Sequence, residues 1–329
     1  MLINKKLTCR TPLLPKPAVS VIRRIRLSGM ASGSSVTNFL IFLLLLIAIS
    51  NYFTFSKIER RMEVEEQEKE LETVQYSPES SPPALQVPVY SRQSKELRKK
   101  ALLSSEQDRL ELLRSSKSFD NKAFYGKVKP EAFCAKMERI GEKGDGGKYV
   151  CNPVAVRKGN ECTLISLGLN NQIDYDTHIQ QVTGGHCKIL GADKDAQNEK
   201  TQKAYAEMNG QLFVGTIPNQ LTIPSMLEKA GRNEVELLKI DIEGGEFAGL
   251  EPLIKDFFVC QIFIEVHGPS ARHLKMLQVM AKYGFRIFNV DPNPLCPSCC
   301  EYSLINELCM LQFGAVPLGI TIPQPESSQ

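Results

Sequence analysis

A chain of 329 residues, 42% hydrophobic and 23% charged, has room for one substantial domain plus extra segments. Its formal net charge of +3 is spread unevenly: Met1 to Thr37 holds seven basic residues (Lys5, Lys6, Arg10, Lys16, Arg23, Arg24, Arg26) and no acidic one. Beyond that block no stripe of basic residues interleaves with aromatics, which excludes nucleic acid as a partner.

In chain order, residues 1–35 form a basic tail, and between Arg26 and Lys57 no residue is charged. Phe39 to Ile49 is continuously apolar, and with its flanks the stretch 36–56 matches the roughly 20 residues that cross a bilayer core. No compact small-x-small cleavage site follows, so the expectation is an uncleaved signal-anchor. The basic tail then faces the cytoplasm and everything after Phe55 the lumen, giving a single-pass type II protein of the Golgi or endoplasmic reticulum. Residues 57–123 read as a stem. Lys57 to Glu72 carries seven glutamates against four basic residues, Ser77 to Ser91 is a Pro/Ser linker, and Ser94 to Ser118 regains helical spacing through Leu97, Leu102, Leu110 and Leu113. Ser104-Ser-Glu-Gln107 is the expected helix start, and the helix either lies on the domain or pairs with a second copy as a homodimer.

Residues 124–322 have the composition of an α/β domain, followed by a short tail at 323–329. Apolar runs at Thr163–Leu167, Cys187–Ala192, Gln211–Gly215, Glu236–Ile240 and Gln261–Val266 read as strands. Helical patterns lie at Lys194–Asn209, Ser225–Ala230, Phe247–Phe257 and Ser270–Tyr283. Such alternation predicts a mostly parallel sheet covered on both faces. Phe285–Val290 and Cys309–Phe313, with no helix between them, read as an antiparallel pair closing one edge.

In such sheets ligands bind beyond the carboxyl ends of the strands. There the chain places Gly168, Asp193, the pair Asp241 and Glu243 before Gly244-Gly245, and Glu265 with His267. An acid some 20 or more residues after the first strand turn is suited to gripping a ribose diol, which singles out Asp193. The turn itself, Gly168 to Asp174, has one glycine and no phosphate-cradling GxGxxG, so a cofactor without phosphates fits better than a dinucleotide. S-adenosylmethionine has that profile.

Lys239-Ile-Asp-Ile-Glu-Gly-Gly-Glu246 with Ile264-Glu-Val-His267 resembles the FkbM-type methyltransferase domain. The wider succession adds Asp145-Gly-Gly-Lys-Tyr-Val-Cys151, Ser166-Leu-Gly-Leu-Asn170, Asp291-Pro-Asn-Pro294 and Cys299-Cys-Glu-Tyr-Ser303. It is similar to the animal methyltransferase-like protein 24 relatives, which include membrane-anchored nematode paralogues. The resemblance spans Phe133 to Phe313. It implies a Rossmann-like class I methyltransferase fold with a seven-stranded, mostly parallel sheet, and S-adenosylmethionine as methyl donor. Matched position by position, Gly168 and Asn170 fall in the cofactor loop, Asp193 on the ribose acid, and Asp241, Glu243 and Gly244 on the acidic edge. Glu265 and His267 close the fifth strand. The usual loop Asp-x-Gly-Ala-Asn-x-Gly is altered here: Ser166 stands for the leading acid and Gln172 for the last glycine, with Asp174 or Asp176 the nearby substitutes.

Methyl transfer to a hydroxyl needs alignment and a proton acceptor. His267 is the expected general base, with Asp241 and Glu265 beside it, and a small molecule or a glycan is the expected acceptor. Two other classes remain open: a non-catalytic methyltransferase-like binding protein, and a type II glycosyltransferase using Asp174-Tyr-Asp176 as a metal-binding triplet. Nine of ten cysteines follow the apolar span, an odd number that leaves at least one unpaired. Cys151 with Cys162 is one expected staple, Cys187 and Cys260 read as buried thiols, and Cys296-Pro-Ser-Cys-Cys300 lacks the second CxxC that a zinc site needs.

Overall fold

The computed structural model describes residues 90–143, 146–158 and 161–324. The basic tail, the apolar span at 36–56 and the first part of the stem lie outside them. Among the described residues no helix is long and apolar enough to cross a membrane.

Helix α1, Arg92–Ser115, begins where the Ser91 hydroxyl accepts the Ser94 N–H. The expected start at Ser104 lies in mid-helix, because the hydroxyls of Ser104 and Ser105 turn back onto the carbonyls of Ala101 and Leu102. The helix is part of the folded domain: Leu112 is fully buried in its core, and Arg98 donates to the Pro317 carbonyl at 2.9 Å. The domain therefore extends N-terminal to residue 124. A short helix, α2 (Asn121–Tyr125), adds Phe124 and Tyr125 to the same core.

Strands β1 (Ala132–Cys134), β2 (Met137–Ile140) and β3 (Lys148–Cys151) precede the main sheet, with β2 and β3 forming an antiparallel hairpin. The alternating part follows as β4 (Thr163–Leu167), α3 (Asp174–Thr183), β5 (Lys188–Asp193), α4 (Glu199–Glu207), β6 (Gly210–Val214), α5 (Ile223–Ala230), β7 (Glu234–Ile240), α6 (Glu246–Asp256), β8 (Phe258–His267) and α7 (Ser270–Lys282). It ends with β9 (Phe285–Pro292), β10 (Cys299–Asn306), α8 (Met310–Phe313) and β11 (Ala315–Pro317), the last pairing with β1.

Seven strands form the main sheet in the order β6-β5-β4-β7-β8-β10-β9. The first five in that order are parallel, and β10 is antiparallel to both neighbours. The expected antiparallel pair does close one edge, with one strand corrected. Its second strand is Cys299–Asn306, and this strand sits inside the sheet while β9 takes the edge. Cys309–Phe313 is a helical turn, because the Asn306 side chain accepts the Leu308 N–H and ends the strand. Strand residues alternate between two apolar layers: Ile165, Leu238, Ile262 and Ile264 face the layer of α5, α6 and α7, whereas Leu164, Leu237 and Phe263 face that of α3 and α4.

Four disulfides form among the described residues: Cys134–Cys151, Cys162–Cys187, Cys260–Cys309 and Cys296–Cys299. The expected Cys151–Cys162 staple is replaced, and Cys187 and Cys260 are oxidised rather than free. Sheet register explains one exchange. Thr163 pairs with Lys188, so the residues before them, Cys162 and Cys187, enter adjacent strands side by side. Cys300 keeps a buried thiol.

Candidate functional site

The carboxyl ends of β4, β5 and β7 surround a crevice of about 710 Å³, within the range of small-ligand sites. The loop after β4 is fixed by close approach. Gly168 has φ +78°, and a Cβ there would lie 1.6 Å from the Asp241 carbonyl oxygen, so only glycine fits between β4 and β7. The Gly168 N–H reaches the Ala192 carbonyl at 2.9 Å and the Asp241 N–H that of Leu167 at 3.2 Å, tying three strand ends together. Asn170 and Asn171 follow with φ 44° and 59°, a left-handed conformation that asparagine tolerates.

Asp193 ends β5 on the crevice wall. One carboxylate oxygen accepts the Asn170 N–H at 2.8 Å and the other the Asp195 N–H at 3.0 Å, so the acid is pre-oriented by the loop opposite it. Asp241 and Glu243 line the far side. Gly244, expected to touch the cofactor, lies outside the lining. Its φ of 104° serves the turn, where its N–H donates at 3.0 Å to the carboxylate of Glu246. The two acids of Asp174-Tyr-Asp176 separate: Asp174 faces the crevice, whereas Asp176 is fully buried and accepts the Tyr205 hydroxyl at 2.7 Å. Helical positions two apart point in different directions, so this triplet does not chelate one cation.

Beside the crevice a row of acids crosses the sheet. Glu265 on β8 stands opposite Glu301 on β10, and Glu301 opposite Asp291 on β9. Carboxylate oxygens of Asp241, Glu265 and Glu301 lie within 4.8 Å of one another. The β2–β3 hairpin supplies the counter-charges. Lys148, almost wholly buried, bonds Glu301 and lies 3.8 Å from Asp241, and Arg139 pairs with Asp291 at 3.0 Å. Asn293 donates to Glu265 at 2.9 Å. Burial, then the charges of Asp241 and Glu301, push the Glu265 carboxyl up to about 7.

His267 lies 3.5 Å from Glu246 through Nδ1 and 3.4 Å from Glu243 through Nε2. Its close approach to Glu246, and the nearby charges of Glu265 and Glu243, raise it to about 9 against the opposing effect of burial. The raised affinity favours the imidazolium form of His267 at neutral pH. His273 on α7 is completely buried between the Tyr125 and Tyr302 hydroxyls.

Residues 120–287 match the Methyltransferase FkbM domain model. The chain belongs to this FkbM methyltransferase family. No curated protein matches the sequence. Among solved structures, a precorrin-6y C5,15-methyltransferase from Geobacter metallireducens is 8% identical over 47% of this chain and 86% of its own, with a TM-score of 0.33. The METTL16 methyltransferase domain is 11% identical over 46% and 61%, with a TM-score of 0.32. A SAM-dependent methyltransferase from Aquifex aeolicus is 14% identical over 47% and 89%, with a TM-score of 0.29.

Family membership assigns S-adenosylmethionine to this FkbM domain as methyl donor, and the crevice fits it. Gly168, Asn170, Asp193, Asp241 and Glu243 converge there, while Glu265 and His267 stand just behind Asp241 and Glu243. Lys148, Glu301 and Asn293 were not singled out from sequence. Lys148 and Glu301 each sit inside a quoted motif, but 153 positions separate them and nothing in the chain announces that they meet.

Proposed function

We propose that the domain transfers a methyl group from S-adenosylmethionine to a hydroxyl acceptor in the lumen of the secretory pathway. The charge of the crevice carries this reading. Its lining holds six carboxylates (Glu142, Asp174, Asp193, Asp195, Asp241, Glu243) against three lysines (Lys143, Lys194, Lys239). A sulfonium donor with a zwitterionic tail is net positive and is drawn to such a wall; the diphosphate of a nucleotide sugar is repelled.

The donor supplies an electrophilic methyl group. Asp193 is placed for the ribose hydroxyls, and Asp174 and Lys143 offer opposite charges to the amino acid tail. Glu265 takes up the proton that the acceptor hydroxyl releases, its affinity being matched to neutral pH. His267 remains a fixed cation that offsets Glu243 and Glu246. Four disulfides among the described residues support an oxidising compartment, and with it the luminal placement.

The test uses full-length protein, methyl-labelled S-adenosylmethionine, and glycan and small-molecule extracts as acceptors. Label in alkali-stable ethers is the expected product. Glu265→Gln is expected to keep donor binding and to lower transfer by about 100-fold or more. Donor binding with no transfer to any fraction contradicts the enzymatic reading; undiminished transfer by the variant contradicts the role of Glu265.

A further inference from the structure

The loop between β9 and β10 is built from Asn293 to Ser298 and closed on itself. Cys296 and Cys299 are disulfide-bonded three positions apart, and the Cys299 N–H also reaches the Cys296 carbonyl at 2.9 Å. So small a ring removes little freedom from the unfolded chain, which leaves local shape as its contribution. Asn293 lies at the loop's entry and is held at three points. Its N–H donates to the Cys299 carbonyl at 3.2 Å, its Oδ1 accepts the Leu295 N–H at 2.9 Å, and its Nδ2 is thereby turned toward Glu265. The far end of the loop is anchored as well, since the Ser298 carbonyl accepts the Gly268 N–H at 2.9 Å directly after β8. Cys299 itself stands opposite His267 in the sheet.

We propose that Asn293 is a positioning residue for Glu265, and that the Cys296–Cys299 disulfide acts on the site by holding Asn293 in place. The inference rests on the reading of Glu265 as proton acceptor only for its catalytic consequence. The groups that face Glu265 are Asp241 beyond β7, Glu301 on β10, Lys148 on β3, His267 on β8 and the Tyr125 hydroxyl on α2. Asn293 joins them as an uncharged side chain that donates a hydrogen bond directly to the Glu265 carboxylate, at 2.9 Å. A hydrogen bond to a carboxylate favours its ionised form, so losing the donor moves the Glu265 titration upward.

The experiment follows the Glu265 carboxyl by carbon-13 NMR in full-length protein, assigned by its loss in Glu265→Gln. Asn293→Ala is expected to raise the midpoint by about 0.5 to 1 unit. The near-isosteric Asn293→Asp, which replaces the donor by a charge without changing shape, is expected to raise it further. The paired Cys296→Ser/Cys299→Ser variant is expected to reproduce much of the Asn293→Ala shift, and to add nothing when combined with it. Retained S-adenosylmethionine binding at the Asp193 end shows that each variant is folded. An unchanged midpoint in both Asn293 variants overturns the positioning role, and a full additional shift in the combined variant overturns the link to the disulfide. Failure of the catalytic reading looks different: Glu265→Gln transfers methyl groups normally while the titration shifts persist.

Discussion

Glu246 has a side chain only 1% exposed, and its carboxylate joins the turn after β7 to the ring of His267 at the end of β8. Burial alone pushes such a carboxyl up, but the neighbouring His267 ring and the Gly244 N–H bond outweigh it and its affinity for protons falls. The pH dependence follows from the sign of each shift. His267 is raised in the fold, so its stabilising charge is complete below its ordinary value of 6.5 and is lost as pH rises through about 9. Urea unfolding at about pH 6 and about pH 10 should show wild-type protein losing stability over that interval and His267→Gln losing less. Equal losses would mean that the ion pair contributes nothing. Asp193, Asp241 and Glu265 were legible in sequence because each follows an apolar run where a strand ends. The charge on His267 was not, since it depends on Glu246 and Glu243 arriving from another strand's loop.

Helix α1 lies on the domain, one of the two placements its leucine spacing allowed, although its start was misplaced. Its leucines gave the helical period, but the surface it covers is assembled from residues as distant as Pro317, to which Arg98 is bound. Leu112→Ala should destabilise the whole domain by about 2–5 kcal/mol, the range for a buried leucine. The measurement is chemical denaturation followed by a probe at β8. If the β8 transition keeps its midpoint, the helix is an appendage. The parallel strands were readable because both faces are buried and their apolar runs are continuous. Cys309–Phe313 was misread because so short a mainly apolar segment does not separate strand from helix. Helix α3 escaped because Asp174 to Thr183 is mostly polar and buries only one face.

Over the whole molecule, sequence order predicted an α/β sheet with its site at the strand ends, and the topology agrees. What sequence order did not carry is the pairing of distant charges: the β2–β3 hairpin lays Lys148 and Arg139 over a row of acids drawn from β8, β9 and β10. The partner of Cys162 was hidden for the same reason, because adjacency in the sheet brings Cys187 beside it across 25 positions of chain. A crevice walled by six carboxylates against three lysines should select a net-positive methyl donor. Calorimetric titration of the full-length protein with S-adenosylmethionine, and separately with a UDP-sugar plus manganese, tests it most directly. Donor binding should weaken as salt rises and fall at least about tenfold in Asp193→Ala. Binding of the UDP-sugar, with none of S-adenosylmethionine at millimolar concentration, would contradict it.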